Sequence, residues 1–234
     1  MENVLSSPEW SAVWISIKVA ATSTACLLIP GIATGWLLAR KRFIGKTILE
    51  AIVHLPLVLP PVVTGYVLLV ILGRNGWIGQ YFDRLFGIRF AFSWFGAVLA
   101  AMVVAFPLMV RSVRVAVELT DKRLESAART LGAGPFETFF VVTLPLAAPG
   151  VLAGAVLAFA RSLGEFGATI TFAGNIAGET RTLPLAVFAS LQAPGAEVAT
   201  FRLVVLAILL SFGALIGSEI IARKYRRSIV GERR

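Results

Sequence analysis

Asp121-Lys-Arg-Leu-Glu-Ser-Ala-Ala-Arg-Thr-Leu-Gly-Ala-Gly-Pro-Phe-Glu-Thr-Phe-Phe-Val-Val-Thr-Leu-Pro145 is the longest water-compatible stretch of a very apolar chain. It reads as two short helices joined by a Gly-Ala-Gly-Pro elbow. Asp121 is placed to cap a helix running to Leu131. Leu124, Ala127, Ala128 and Leu131 recur at helical spacing and share one face, with Lys122, Arg123 and Arg129 around the rest. Gly132 supplies the stop and Pro135 the next start. The second helix, Phe136–Val142, is expected to expose Phe136, Phe139 and Phe140 along one side. Pro145 and Pro149 mark the return to apolar sequence. Such an element suits a groove on a partner protein, and by periodicity alone it equally suits a lipid surface.

The sequence on either side decides the fold class. Of the 234 residues 57% are hydrophobic and 15% charged, whereas a soluble domain averages about 45–50% apolar and 25% charged. The excess is concentrated in runs: Val19–Ala39, Leu55–Leu72 and Phe92–Val110 hold no charged residue. Roughly 20 such residues cross a 30 Å hydrocarbon core as a helix, and a helix pairs every backbone N–H and C=O within itself. The expectation is an all-α integral membrane protein with five transmembrane helices, at about 13–39, 49–72, 92–115, 146–170 and 203–222. These lie within a single transmembrane domain, 11–222, with a polar loop at 119–147 and a basic tail at 223–234. Residues 1–12 read as a short polar lead, and 183–191, apolar but too short to cross, as a surface or re-entrant helix.

The net charge of +9 follows membrane topology rather than a nucleic-acid surface. The clusters Arg40–Lys46, Arg111–Arg129 and Arg223–Arg234 fall on one side of a five-span chain. Arg74, Arg84, Arg89, Arg181 and Arg202 fall on the other. The positive-inside rule then places the N-terminus outside, with the 119–147 loop and the C-terminus in the cytoplasm. Trp77, Tyr81, Phe82 and Trp94 suit an interfacial aromatic belt. The first run follows acidic Glu2 and Glu9 and is too long for a signal-peptide core, so it is read as a retained span. Cys26 alone makes no disulfide framework and His54 alone no zinc site. Gly45-Lys46-Thr47 imitates the end of a phosphate loop, but Arg40 stands where the pattern needs glycine and no strand precedes it. No Ser/His/Asp, paired-carboxylate or metal-ligand set suggests catalysis, and no regulatory domain is expected beyond residue 234.

Within the spans, Pro56, Pro60 and Pro61 remove backbone donors and kink the second one. Such a kink either packs or, with Thr64 nearby, lines a pathway. Gly31/Gly35 is a small-residue pair that lets helices approach closely, chiefly within one subunit, and Gly150/Gly154 and Gly213/Gly217 repeat the spacing. Arg161 and Glu165 stand four apart, so they are expected to pair on one helix face. Charges at mid-membrane cost roughly 2.5–3.5 kcal/mol on insertion scales and face the bundle interior. The pair is thus either a neutral structural lock or a pathway element in which Arg161 favours an anion.

The spacing Glu125-Ser126-Ala127-Ala128-x3-Gly132-x9-Val142-x-Leu144-Pro145 resembles the EAA loop of ABC importer permeases, EAA-x3-G-x9-I-x-LP. Ser126 stands in the glutamate slot, with Glu125 one residue earlier, and Val142 replaces isoleucine. His54–Tyr66, Ala127–Gly134, Phe159–Phe172 and Gly178–Pro184 are similar to the molybdate permeases among type I ABC importers, and the similarity covers nearly the whole chain. Sulfate and tungstate permeases are close relatives. The resemblance implies a type I, MetI-like permease fold in the bacterial inner membrane. It further implies a pore of two identical permease subunits, two cytoplasmic ATPase subunits below and an external oxyanion-binding protein. ATP and Mg would be bound by the ATPase, and this chain would hold no cofactor. Glu125, Ser126, Ala127, Ala128, Gly132, Leu144 and Pro145 would form the coupling segment. Arg161, Glu165, Pro60, Pro61 and Thr64 would be candidates for the pathway. A membrane structural protein with no transport cycle is the alternative from another class.

Overall fold

A computed structural model of the chain describes residues 7–231, with side chains described through Gly217 and at Ile220. The described residues form helices and connecting loops: α1 (Ser7–Arg40), α2 (Lys46–Val58), α3 (Pro61–Leu72), α4 (Gly79–Phe86), α5 (Trp94–Leu119), α6 (Lys122–Thr130), α7 (Pro135–Thr138), a π-helical turn (Phe139–Thr143), α8 (Leu144–Leu163), α9 (Gly167–Phe172), α10 (Leu183–Leu191) and α11 (Glu197–Gly231). Four helical segments among them are long and apolar enough to cross a membrane, and α2 with α3 makes a fifth if the bent pair counts as one.

The core forms where α1 and α8 close on α5, the most buried of the spanning helices. In lipid, apolar side chains gain little from leaving their surroundings, so association depends on close van der Waals approach. The two glycine pairs provide it. A Cβ at Gly31 would lie 2.5 Å from Met109 Cγ, and one at Gly35 2.8 Å from Val113 Cβ. A Cβ at Gly150 would meet Ala116 Cβ at 2.2 Å, and one at Gly154 would meet Met109 Sδ at 2.8 Å. Two polar bonds add register: Ser112 Oγ donates to Gly150 O at 2.9 Å, and Ser23 Oγ to Ser162 Oγ at 3.1 Å. Gly213 and Gly217 meet nothing among the described residues. The Gly31/Gly35 pair therefore packs inside the subunit as expected, and the Gly150/Gly154 pair packs there too.

Several expectations need correction. The first span is longer than 13–39. It begins at Ser7, because Glu9 is buried against Arg202 Nη2 at 3.1 Å rather than solvated in a polar lead. The second span, expected over 49–72 with a kink at its prolines, breaks outright at Leu59-Pro60 and turns through 118°. Pro60 and Pro61 offer no N–H to a continuing ladder, and Pro61 instead opens α3 at its first position. The fourth span, expected to reach residue 170, ends at Leu163. Segment 183–191 is helical, but it packs into the bundle: the Leu183 N–H reaches Ser16 Oγ at 2.6 Å, and Leu183, Leu185 and Ala186 are buried. The last helix runs unbroken from Glu197 to Gly231, past the expected end at residue 222. The basic side chains assigned to the tail, and the acidic Glu2, lie outside the described residues.

The glycine contacts give opposite signs for one substitution. Gly35→Ala forces a Cβ against Val113 Cβ and to 3.0 Å from Val110 O. Overpacking of this kind costs about 1–3 kcal/mol, so it lowers the thermal midpoint of the purified protein. Gly213→Ala meets open space and improves helix propensity by up to about 1 kcal/mol, so the midpoint holds or rises in the same assay.

Candidate functional site

The polar elbow is built by local rules. Asp121 Oδ1 accepts from the Arg123 N–H at 2.9 Å and starts α6. The end is closed by a left-handed Gly132 (φ 95), with the Ala133 N–H bonded to Ala128 O at 3.1 Å and the Gly132 N–H to Arg129 O at 3.0 Å. This is a glycine C-cap that leaves no Cβ in the strained conformation. The helix ends at Thr130, one residue before Leu131, for that reason. Pro135 opens α7, and the Gly134 N–H donates to Glu137 Oε2 at 3.4 Å. The chain then enters a π turn before α8, with Pro145 in the first turn of α8. Pro145 cannot bond the carbonyl four residues back and its ring crowds it. A wider turn relieves both demands.

Helix α6 buries no residue. Its attachment is electrostatic: Glu125 Oε1 receives Arg40 Nη2 at 2.9 Å, Arg40 Nε at 3.0 Å and Thr143 Oγ1 at 2.9 Å. Arg40 Nη2 also donates to Thr120 O at 3.0 Å. One carboxylate oxygen thus ties α6 to the last residue of α1 and to the π turn before α8, and Arg40 carries the tie on to the end of α5. The side chains are 8% and 13% exposed. Successive helical residues are rotated by about 100°, so Glu125 turns inward while Ser126, one position on, stays exposed with Oγ donating to Lys122 O at 3.1 Å. Glu125 therefore does not replace the outward group that the Ser126 slot would carry. Ala127 is exposed and Ala128 half-buried. Leu124 (49%) and Leu131 (88%) leave the apolar face of α6 open. In the second helix Phe136 and Phe140 are exposed as expected, but Phe139 turns inward onto Trp36, ring centroids 5.7 Å apart. Leu144 is half-buried and Pro145 exposed.

The candidate pathway residues form a second site at the far end of α8, about 27 Å from Thr143 at 1.5 Å per residue. Arg161 Nη1 meets Glu165 Oε2 at 2.7 Å, as the spacing suggests, yet not on one helix face. Glu165 lies past Gly164 and its other oxygen accepts from the Ala168 N–H at 2.8 Å, starting α9. Glu165 is buried, whereas 29% of the Arg161 side chain remains exposed. The pair therefore holds a break in the span. Half-helices α3 and α9 lie against each other: a Cβ on Gly65 would come within 2.7 Å of Ala168 O, and one on Gly167 within 2.7 Å of Pro61 Cβ. The structure thus brings Pro61, Thr64 and Glu165 to one region, in which Thr64 and Glu165 are buried and Pro60 and Pro61 are exposed. Among the described residues, Thr64 Oγ1 is buried without a hydrogen-bond partner. Sequence reasoning missed Arg40 and Thr143 as partners of Glu125. The 85 and 18 residues between them carry no periodic signal.

Comparison with known proteins follows this geometry. Residues 31–227 match the family described as binding-protein-dependent transport system inner membrane component. The chain is 55% identical over 221 residues to the molybdenum transport system permease protein ModB of Haemophilus influenzae, covering 94% of this chain and 96% of that one. It is 56% identical over 220 residues to ModB of Escherichia coli K12, with the same coverage. A sulfate transport system permease protein, CysT of Salmonella typhimurium, is 34% identical over 233 residues, covering 98% of this chain and 82% of that one. Among solved structures, the inward-facing MetNI methionine ABC transporter superposes with a TM-score of 0.71 at 20% identity, covering 94% and 99% of the two chains. A bacterial alginate ABC importer superposes at 0.74 and 14% identity, covering 94% and 80%. The fold is thus that of ABC importer permeases, in a multi-pass protein of the bacterial inner membrane. With its family pattern spanning both the elbow and the broken spans, the chain belongs to the inner membrane components of binding-protein-dependent transport systems.

Proposed function

We propose that this chain is the permease subunit that carries molybdate across the inner membrane, driven by ATP hydrolysis in a partner subunit. The observation that carries the reading is α6: a helix with no buried residue, held in place by one buried-side carboxylate and presenting its remaining faces outward. A helix so arranged suits insertion into a cleft of a cytoplasmic ATPase. Closure of two ATPases would draw two such helices together, and the Glu125–Arg40–Thr143 tie would pass that displacement to α1 and α8. The assembly is two copies of this chain, two ATPase subunits holding ATP and Mg, and an external oxyanion-binding protein. The chain itself performs no chemistry and needs no cofactor. Molybdate is favoured by relatives named for molybdenum transport at 55–56% identity, with sulfate as the second reading through the more distant CysT.

In the membrane, Arg161 is the candidate group facing the anion. Its partner Glu165 neutralises it and fixes α9, while its exposed portion remains open to a passing oxyanion. Binding there must stay weak enough for release.

Three experiments test these roles. Ala127→Arg adds bulk to an exposed position of α6. Pull-down of the ATPase falls at least about tenfold, equivalent to roughly 1.4 kcal/mol, with the permease's own thermal midpoint unchanged. Glu125→Gln leaves Arg40 without its carboxylate. It costs on the order of 1–3 kcal/mol in thermal stability and lowers molybdate uptake per ATP hydrolysed, while the ATPase still docks. Equal coupling ratios in Glu125→Gln and wild type refute transmission through the tie.

Arg161→Ala alone strands a buried carboxylate, a change worth about 3–5 kcal/mol, so the informative variant is Arg161→Ala with Glu165→Gln. Its uptake of labelled molybdate is abolished if Arg161 serves the pathway, and recovers if the pair is only structural. In the wild type, unlabelled molybdate suppresses labelled uptake at lower concentration than sulfate does. The reverse order assigns the chain to sulfate.

A further inference from the structure

Beside the Glu125–Arg40 tie lies a cavity of about 250 Å³. It is lined on its charged side by Arg40, Lys41, Lys122 and Arg129, with Glu125 as the only acid among its lining residues. Arg40 and Glu125 satisfy each other, which leaves three cations facing the space. A second cavity of about 510 Å³ adjoins it. That one is an apolar groove between α1 and the π turn, bounded by Ile29, Ile32, Leu37, Phe136, Phe140 and Leu144. The two share Trp36, Pro135 and Phe139. At the join, Phe139 stacks edge-on against Trp36, and Lys41 Nζ stands 5.7 Å from the Trp36 ring centroid.

We propose that this pair of cavities binds one anionic phospholipid, its phosphate among Lys41, Lys122 and Arg129 and an acyl chain along the groove. The dimensions fit. From Ile29 to Arg40 the helix rises about 16 Å, close to half of a roughly 30 Å hydrocarbon core and hence one leaflet. The polarity changes at the right depth. Basic groups lie at the end of α1, a tryptophan stands at the boundary where its amphipathic ring belongs, and only apolar side chains lie below it. Ile29 and Phe136 are each 81% exposed in the chain and suit hydrocarbon. A free inorganic anion would occupy the basic cavity and ignore the groove. A neutral lipid would fill the groove and leave three cations unmatched. Basic pockets between membrane helices are established sites for acidic headgroups. The proposal is independent of the solute transported. It does place the lipid against the α1 end of the Glu125 tie, where its occupancy would stiffen that junction.

The test uses the full chain in phosphatidylcholine bilayers containing a minor fraction of brominated phosphatidylglycerol or, separately, brominated phosphatidylcholine. Quenching specific to Trp36 is taken as the difference from Trp36→Phe. Brominated phosphatidylglycerol is expected to be preferred at Trp36 by at least roughly fivefold, the effect of one basic residue on an anionic lipid. The preference persists with excess inorganic phosphate at matched ionic strength and disappears in Lys122→Gln/Arg129→Gln. Both substituted residues are exposed, and an unchanged thermal midpoint confirms that the double variant is folded. Equal quenching by the two lipids in wild type overturns the proposal, as does a preference that survives the double substitution. Displacement by phosphate overturns it in favour of a free-anion site. Protection of Trp36 from both lipids overturns it in favour of a protein partner covering the groove.

Discussion

Close approach to α5 is the constraint on which the rest of this structure depends. Lipid tails are as apolar as leucine, so nothing but contact and polar bonding holds spanning helices together. Gly31 and Gly35 on α1 and Gly150 and Gly154 on α8 remove the side chains that would keep three backbones apart. The resulting trio fixes where α1 ends and where α8 begins, and the polar elbow hangs between those two points. Helix α1, 34 residues long, rises about 51 Å and outruns the hydrocarbon at both ends. An ion pair secures each end, Glu9 with Arg202 and Arg40 with Glu125.

The elbow shows how a polar segment can be both exposed and firmly placed. Its helix has no apolar anchor, so side-chain packing cannot orient it. Orientation comes from a carboxylate that takes three donors on one oxygen, from two other elements of the fold. A motif reading centred on Ser126 points to the segment, but the residue that positions it is its neighbour, turned inward.

The break in the second span and the turn that ends the fourth follow a different logic. Proline breaks α2 from α3, and the Gly164–Phe166 break parts α8 from α9. In a bilayer, freed backbone groups need replacement partners. Glu165 supplies one by capping α9, and Arg161 neutralises the carboxylate that does so. The half-helices α3 and α9 then cover each other through Gly65 and Gly167. The region left beside them holds Thr64, whose buried hydroxyl has no hydrogen-bond partner among the described residues.

Local chemistry made much of this legible in sequence: uncharged runs for the spans, Asp121, Gly132 and Pro135 for the elbow's caps and stop, and the four-residue spacing of Arg161 and Glu165. Each is a signal carried within one or two helical turns. The partner of Glu125 lies 85 residues away, and no periodicity links the two. The burial of 183–191, the inward turn of Phe139 and the inward extension of the first helix to Glu9 likewise depend on which surfaces meet. The sequence by itself determined that this chain crosses a membrane and keeps a capped polar helix between spans, because hydrophobicity and backbone capping act over neighbouring residues. Only the tertiary structure decided how that helix is attached, which way its charges point and where the first span begins, because those follow from contacts between segments distant in the chain.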